Sequence, residues 1–66
     1  MHPELGALYN NLGGLHYLRG EYSAALEYLR SAHGIFKAQF GRSDPQTKEV
    51  WQNIGLVSRK TYFART

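Results

Sequence analysis

Residues 9–32, YNNLGGLHYLRGEYSAALEYLRSA, join two amphipathic helical patterns but also contain three glycines. Inside a helix a glycine costs roughly 1 kcal/mol relative to alanine, so it needs a compensating contact. The leucine spacing continues across Gly13 and Gly14, which places both inside the first helix. We interpret Gly13 as a point of close packing opposite Ala25, where dispersion contacts offset its low propensity. Gly20 is interpreted as the end of this helix.

Three helices and no strand are predicted, so the expected fold class is all-α. The helices begin at His2-Pro3-Glu4, at about Tyr22 and at Ser43-Asp44-Pro45, and they end near Arg19-Gly20, at about Phe40 and near residue 63. Asp44 can cap the first amide groups of the third helix, and Gly41 can terminate the second. Spacings of three and four residues define an apolar side on each helix. These sides are Leu5, Leu8, Leu12 and Leu15; Ala25, Leu26, Leu29, Ala32, Ile35 and Phe36; and Val50, Ile54 and Val57.

The first and third helices repeat one another at an offset of 42 residues. Identical residues occur at Pro3 and Pro45, Asn11 and Asn53, and Gly13 and Gly55, and conservative pairs are Leu8–Val50, Tyr9–Trp51, Asn10–Gln52, Leu12–Ile54 and Leu15–Val57. Amphipathicity alone does not align so many positions at one offset. The chain therefore contains a helical hairpin and the first helix of a second copy.

The repeated residues resemble the tetratricopeptide repeat. The resemblance rests on Tyr9-x-x-Leu12-Gly13, Gly20-x-Tyr22-x-x-Ala25, Leu29 and Ala32, with Trp51-x-x-Ile54-Gly55 restating the opening. The usual period is about 34 residues, whereas the offset of 42 resembles the long-helix repeats of kinesin light chains and clustered-mitochondria proteins. His16 and Leu29 depart from the pattern, because the family commonly has aromatic residues there. After Val57 the sequence no longer matches the repeat pattern.

The resemblance implies an α-solenoid segment of about one and a half repeats. The whole chain, 1–66, forms one such segment, with a complete repeat over 2–41. Residues 44–63 form either the first helix of a second repeat or a capping helix.

In tetratricopeptide arrays the first helices of successive repeats line a concave groove. The resemblance places the face opposite the leucine stripe in that groove, and the predicted peptide-binding residues are Asn10, Asn11, Gly14, Tyr17, Gln52, Asn53, Leu56, Arg59 and Lys60. Side-chain amides can pair with an extended peptide backbone, Arg59 and Lys60 can meet acidic side chains, and Gly14 leaves room for a ligand side chain. The predicted function is a protein–protein interaction module. The alternative is a structural segment that stacks or swaps with another array and binds no peptide itself.

Other functions lack the residues that they need. The chain has no cysteine, and its serines lack a histidine with an orienting carboxylate, so we predict no catalytic residue and no enzyme. His16 and His33 are expected about 6 and 20 Å from the hairpin turn, too far apart to share an ion. His2 with His33 would supply only two ligands, so neither a metal nor a cofactor is expected. The segment SRKTYFAR, residues 58–65, is more simply a solvated helix end than a nucleic-acid contact.

The net charge of +3 lies entirely from Arg42 onward. This excess favours an acidic partner, although a solvated helix end explains it more simply. No apolar run reaches the roughly 20 residues that cross a bilayer, and the first residues carry no secretion signal. With no cysteine present, we predict a cytoplasmic protein that does not insert into membranes.

One and a half repeats fall short of the three or so that usually make a stable array. We therefore expect a homo-oligomer or a complex with a longer tetratricopeptide array. The apolar residues expected to remain partly exposed are Leu26, Leu29, Ile35, Phe36 and Trp51.

Overall fold

The computed structural model describes residues 3–64, with side chains described for residues 4–62. Three α-helices follow one another, α1 (Pro3–Leu18), α2 (Tyr22–Phe40) and α3 (Pro45–Ala64), and the described residues contain no strand. The predicted all-α class is confirmed. Over the same residues, none of the helices combines the length and the apolar character that a membrane span requires.

Glycines make both chain reversals possible. Gly20 follows α1 with φ 77°, and Gly41 follows α2 with φ 90°, in the left-handed region that side chains disfavour. The amide of Gly41 donates to the carbonyl oxygen of Lys37 at 2.9 Å and closes α2. At the start of α3, Oδ1 of Asp44 accepts a hydrogen bond from the amide of Gln46 at 2.9 Å. This is the predicted helix cap.

The central helix is α2, which packs against both α1 and α3. Among the side chains that the structure describes, the buried hydrophobic ones all come from α2 and α3: Ala25, Leu29, Ala32, Ile35, Phe36, Val50, Ile54 and Val57. Tyr9 and Tyr17 of α1 and Tyr22 and Leu26 of α2 pack against this cluster while remaining partly exposed. In the described residues, α1 therefore supplies aromatic side chains and backbone, rather than aliphatic side chains, to the core.

The exposure expected for α2 is wrong at three positions. Leu29, Ile35 and Phe36 are buried, because α1 and α3 both cover α2. Leu26 remains partly exposed, and Trp51 is 61% exposed, as predicted. The largest exposed apolar side chains lie mainly on the outer helices α1 and α3.

The leucine stripe of α1 is not the face that contacts α2. Leu8 and Leu15 are each 51% exposed, although the sequence assigns them to the apolar side. The face toward α2 instead carries two buried glycines and two partly buried rings, Gly6, Tyr9, Gly13 and His16. The rings of Tyr9 and His16 both contact Tyr28, at centroid distances of 5.9 and 5.2 Å.

Gly6 and Gly13 bring the backbone of α1 against side chains of α2. A Cβ atom at Gly13 would lie 2.7 Å from Cγ of Leu29 and 3.2 Å from the carbonyl oxygen of Ala25. A Cβ at Gly6 would lie 2.9 Å from Cε1 of Phe36. Carbon atoms pack best about 3.5–4.0 Å apart, so neither glycine can gain a side chain without displacing a neighbour. The predicted close packing at Gly13 is confirmed, with Leu29 as the nearest neighbour, and Gly6 is a second such point.

The 42-residue offset explains the exposed stripe. The α3 counterparts of Leu5, Leu8, Leu12 and Leu15 are Thr47, Val50, Ile54 and Val57, and all four are buried. α3 thus packs on the preceding hairpin through one face, and the equivalent face of α1 is exposed. Conversely, a Cβ at Gly55, the counterpart of Gly13, would have nothing within 4 Å. Each outer helix presents one face on which a further repeat element fits.

Candidate functional site

A cavity of about 560 Å³ lies between α1 and α3, with Leu29 of α2 among its lining residues. It brings together six of the nine predicted peptide-binding residues: Asn10, Asn11, Gly14, Tyr17, Asn53 and Leu56. The remaining lining residues are Gly13, Leu15, Leu18, Leu29 and Val57. The cavity therefore combines amide groups from two helices with an apolar surface, and none of its described lining residues is Lys, Arg, Asp or Glu.

Asn10 lines this cavity and carries an unsatisfied acceptor. Its side-chain oxygen Oδ1 is buried and has no hydrogen-bond partner among the described residues. A buried acceptor without a partner is destabilising by about 1–3 kcal/mol. A hydrogen bond from an N–H donor to this oxygen would remove that penalty.

The rim of the cavity is apolar and open. Leu18 is 81% exposed and Leu56 is 54% exposed. A Cβ at Gly14 would meet nothing within 4 Å, so this part of α1 leaves space beside the asparagines. Exposed leucines next to unpaired amides suit a ligand that offers both a backbone and an apolar side chain.

A second cavity, of about 280 Å³, continues along the same two helices. It shares Asn10 and Asn11 with the first and is otherwise lined by Ala7, Phe36, Gln46, Glu49 and Val50. Because the two cavities meet at these asparagines, we treat them together as one groove between α1 and α3. The groove follows α3 from its first turn to Val57.

Three predicted residues, Gln52, Arg59 and Lys60, are exposed and line neither cavity of the groove. Gln52 is turned about 100° around α3 from its neighbour Asn53, which removes it from the lining. Arg59 and Lys60 lie about one turn beyond Leu56. They follow Leu56 and Val57 in sequence and do not form the surface of the groove.

Leu15 and Val57 line the cavity but are absent from the predicted set. Their spacing assigns Leu15 and Val57 to the apolar sides of their helices. For that reason the sequence did not indicate that they line the groove. Leu18 shares the side of α1 opposite the leucine stripe with Asn10 and Gly14, the side that the resemblance assigns to the groove, and it lines the cavity.

His16 stabilises the turn between α1 and α2. Its Nδ1 atom is 2.7 Å from Oε1 of Glu21, and its ring stacks on Tyr28 at an interplanar angle of 9°. This hydrogen bond, aided by Arg19 at 3.5 Å, lowers the pKa of the Glu21 carboxyl below its ordinary value, although desolvation opposes the shift. His16 therefore packs in the position where the family commonly has an aromatic residue.

The described residues contain no group of three or more His, Asp or Glu side chains placed to hold a metal ion. His16 and His33 contact different partners, Tyr28 and Trp51 respectively. His2 and Arg65, which entered the predictions on metal and nucleic-acid binding, lie outside the described residues.

A helical hairpin followed by a helix that repeats the first at a fixed offset defines an α-helical repeat protein. The family model described as tetratricopeptide repeat matches residues 2–61, and the chain belongs to this family. Repeats of this family are non-catalytic scaffolds that generally mediate protein–protein interaction. No solved structure matches the chain significantly.

Proposed function

We propose that the groove between α1 and α3 binds an extended segment of a partner protein. The observation that carries this proposal is the convergence of Asn10, Asn11 and Asn53 on one open cavity, with a buried Asn10 oxygen that lacks a partner. An asparagine amide offers both donors and an acceptor. An extended peptide exposes N–H and C=O groups that these side chains can satisfy.

The size and lining of the groove favour a peptide with an apolar anchor. Small-ligand sites typically enclose about 300–1,000 Å³, and the larger cavity, at about 560 Å³, falls within that range. An apolar side chain of the peptide would enter beside Gly14 and contact Leu18 and Leu56. Hydrophobic contact supplies affinity there, while the asparagines orient the backbone.

We place the acidic preference at the end of the groove. The larger cavity has no Lys, Arg, Asp or Glu in its lining, so an acidic residue gains nothing there. Arg59 and Lys60 follow Leu56 by one turn of α3, and acidic residues flanking the apolar anchor would reach them. Such exposed charge pairs mainly raise the association rate, and salt screens them.

The test measures binding of peptides selected from a random library against the whole chain. Replacing Asn11→Ala together with Asn53→Ala should raise Kd about 5- to 150-fold, because each lost hydrogen bond contributes about 0.5–1.5 kcal/mol. Gln52→Ala is the matched control, since it truncates an amide that does not line the groove. It should change Kd by less than about threefold.

Circular dichroism of each variant separates lost binding from lost folding. Equal affinity of the double asparagine variant and the parent chain would refute the assignment, and so would equal losses in the Gln52→Ala control. An affinity that is independent of salt for acidic peptides would remove Arg59 and Lys60 from the proposed site.

A second candidate function is structural, and the exposed leucine stripe favours it. Leu5, Leu8 and Leu15 are between 39 and 51% exposed, whereas their α3 counterparts are buried against a hairpin. A hairpin of another tetratricopeptide chain, or of a second copy of this one, would cover the stripe in the same way. In this role the chain extends an array or forms a homo-oligomer and needs no peptide ligand.

We propose further that the repeat is of the long-helix variety and acts in the cytoplasm. The offset of 42 residues supports the first point, together with a 19-residue α2 and a 20-residue α3. The absence of cysteine supports the second.

A further inference from the structure

A separate cavity of about 410 Å³ lies on the other side of α3, between α2 and the start of α3. It is lined by His33, Lys37, Arg42, Thr47, Lys48 and Trp51, and we call it the basic cavity. It shares no lining residue with the groove. Peptide binding in the groove therefore does not account for it.

The charged residues that line this cavity are all basic. Lys37, Arg42 and Lys48 contribute three fixed positive charges, and no aspartate or glutamate lines it. Glu49 directly follows Lys48 in sequence but lines the groove instead, and Asp44 uses Oδ1 to cap the Gln46 amide. Like charges brought together in one concavity repel one another unless an anion joins them.

Thr47 adds a buried hydroxyl group without a partner. It is 1% exposed, and its Oγ1 atom makes no hydrogen bond to any described residue. Thr61, also on α3, donates to the carbonyl oxygen of Val57 at 2.9 Å. Thr47 lacks such a bond, and it occupies the position that a leucine holds in α1. An apolar residue would fill this place without the penalty of an unpaired hydroxyl.

Trp51 completes the lining with an exposed aromatic ring. Its ring centroid is 5.2 Å from that of His33, and the side chain is 61% exposed. It is also the single tryptophan of the chain. Any ligand of the basic cavity therefore changes the surroundings of the chain's one indole.

We propose that the basic cavity binds a phosphate group. A phosphate monoester carries about −1.5 to −2 charges at neutral pH and three strong acceptor oxygens, which three cations and a hydroxyl donor can satisfy together. The positive end of the α3 dipole adds to this attraction, because Thr47 and Lys48 lie in its first turn. A single carboxylate has fewer acceptors and about half the charge, so it matches this set less well.

The test follows Trp51 fluorescence while inorganic phosphate is added to the whole chain at constant ionic strength. Phosphate should produce a saturable change, and acetate at equal concentrations should not. Lys37→Gln with Lys48→Gln should abolish the phosphate response. Arg19→Gln with Arg30→Gln is the matched control, because it removes the same charge from exposed positions that line neither the basic cavity nor the groove, and it should retain the response. Loss in both double variants, or an equal response to acetate, would overturn the proposal.

Thr47→Val separates a ligand-binding hydroxyl from a structural one. Valine keeps the shape of threonine and removes the unpaired group, so the variant should resist denaturation at least as well as the parent. Its phosphate affinity should nevertheless fall by about threefold or more. An unchanged affinity would overturn the role of the hydroxyl.

The source of the phosphate follows from a third arm of the experiment. A short neutral peptide with one phosphoserine is compared with inorganic phosphate and with the unphosphorylated peptide. Binding of the phosphopeptide about tenfold tighter than inorganic phosphate assigns a phosphorylated partner protein, and equal binding assigns free phosphate. Equal binding of the phosphorylated and unphosphorylated peptides would contradict the proposal.

Discussion

Replacing Gly13 by alanine tests whether close helix contact explains the glycine in α1. The new Cβ would lie 2.7 and 2.8 Å from Cγ and Cδ2 of Leu29. Leu29 is 2% exposed and has little room to move. The third neighbour, the carbonyl oxygen of Ala25 at 3.2 Å, belongs to the α2 backbone and cannot rotate away. The substitution must therefore push α1 and α2 apart or force Leu29 into a poorer rotamer.

Two opposing free-energy contributions set the change in stability on replacing Gly13 by alanine. Alanine gains about 1 kcal/mol of helix propensity over glycine, and overpacking a core typically costs about 1–3 kcal/mol. Gly13→Ala should therefore lower the free energy of unfolding by about 0–2 kcal/mol. Gly14→Ala adds the same methyl group one position later, where nothing lies within 4 Å. It should raise the free energy by about 1 kcal/mol.

The difference between the two variants isolates the packing contribution from propensity. Urea denaturation followed by circular dichroism, at one fixed protein concentration, should separate them by about 1–3 kcal/mol. Gly55→Ala is a second control, because Gly55 is the counterpart of Gly13 but has open space around it. It should behave like Gly14→Ala.

Leu29→Ala supplies the compensating test, since it removes the atoms nearest to the new methyl group. In that background Gly13→Ala should be neutral or stabilising, giving a favourable coupling energy. If Gly13→Ala and Gly14→Ala have the same stability in the parent chain, the close-contact explanation of Gly13 is wrong.

Two further predictions concern acid stability and association. Because the folded-state pKa of Glu21 is lowered from 4.5, its stabilising contribution should be complete above that pH and lost as the pH falls below it. Urea denaturation across this range should show the parent's advantage over Glu21→Gln shrinking in acid, and an advantage that grows in acid would contradict the shift. Leu8→Ser with Leu15→Ser should weaken self-association or binding to a longer array, because both side chains are already half exposed in the monomer. Sedimentation over a roughly hundredfold concentration range checks this, with buried Val50→Ser as the unfolding control, and unchanged association would exclude the stripe.

The order and limits of the helices follow from local chemistry and were predicted from the sequence. Gly20 and Gly41 provide the positive φ angles that end α1 and α2, and Asp44 caps α3 through a bond between near neighbours. These signals act over a few residues, so they can be read without knowing what each helix contacts. The 42-residue offset likewise identified Asn11 and Asn53 as equivalent positions.

Helical spacing placed several of the predicted site residues on one side of α1, and the resemblance to tetratricopeptide arrays assigned that side to a groove. Asn10, Gly14 and Tyr17 share that side and line the same cavity. Helical spacing does not define which turns of α3 lie along the groove. Arg59 and Lys60 are consequently not among the lining residues. The basic cavity was missed because it joins residues of α2, the loop and α3 that no short motif connects.

The sequence by itself determined three helices, their ends and their repeat, but only the tertiary structure decided which face of α1 contacts α2. Hydrophobic spacing marks the leucine stripe, yet the contact is made by Gly6 and Gly13. The apolar character of a surface indicates that its burial is favourable, but it does not indicate which other helix will cover it. Glycine permits the closest approach of two backbones, and the dispersion energy of that approach depends on the shape of α2. Leu8 consequently lies on an outer surface, whereas its counterpart Val50 is buried beneath the same kind of hairpin.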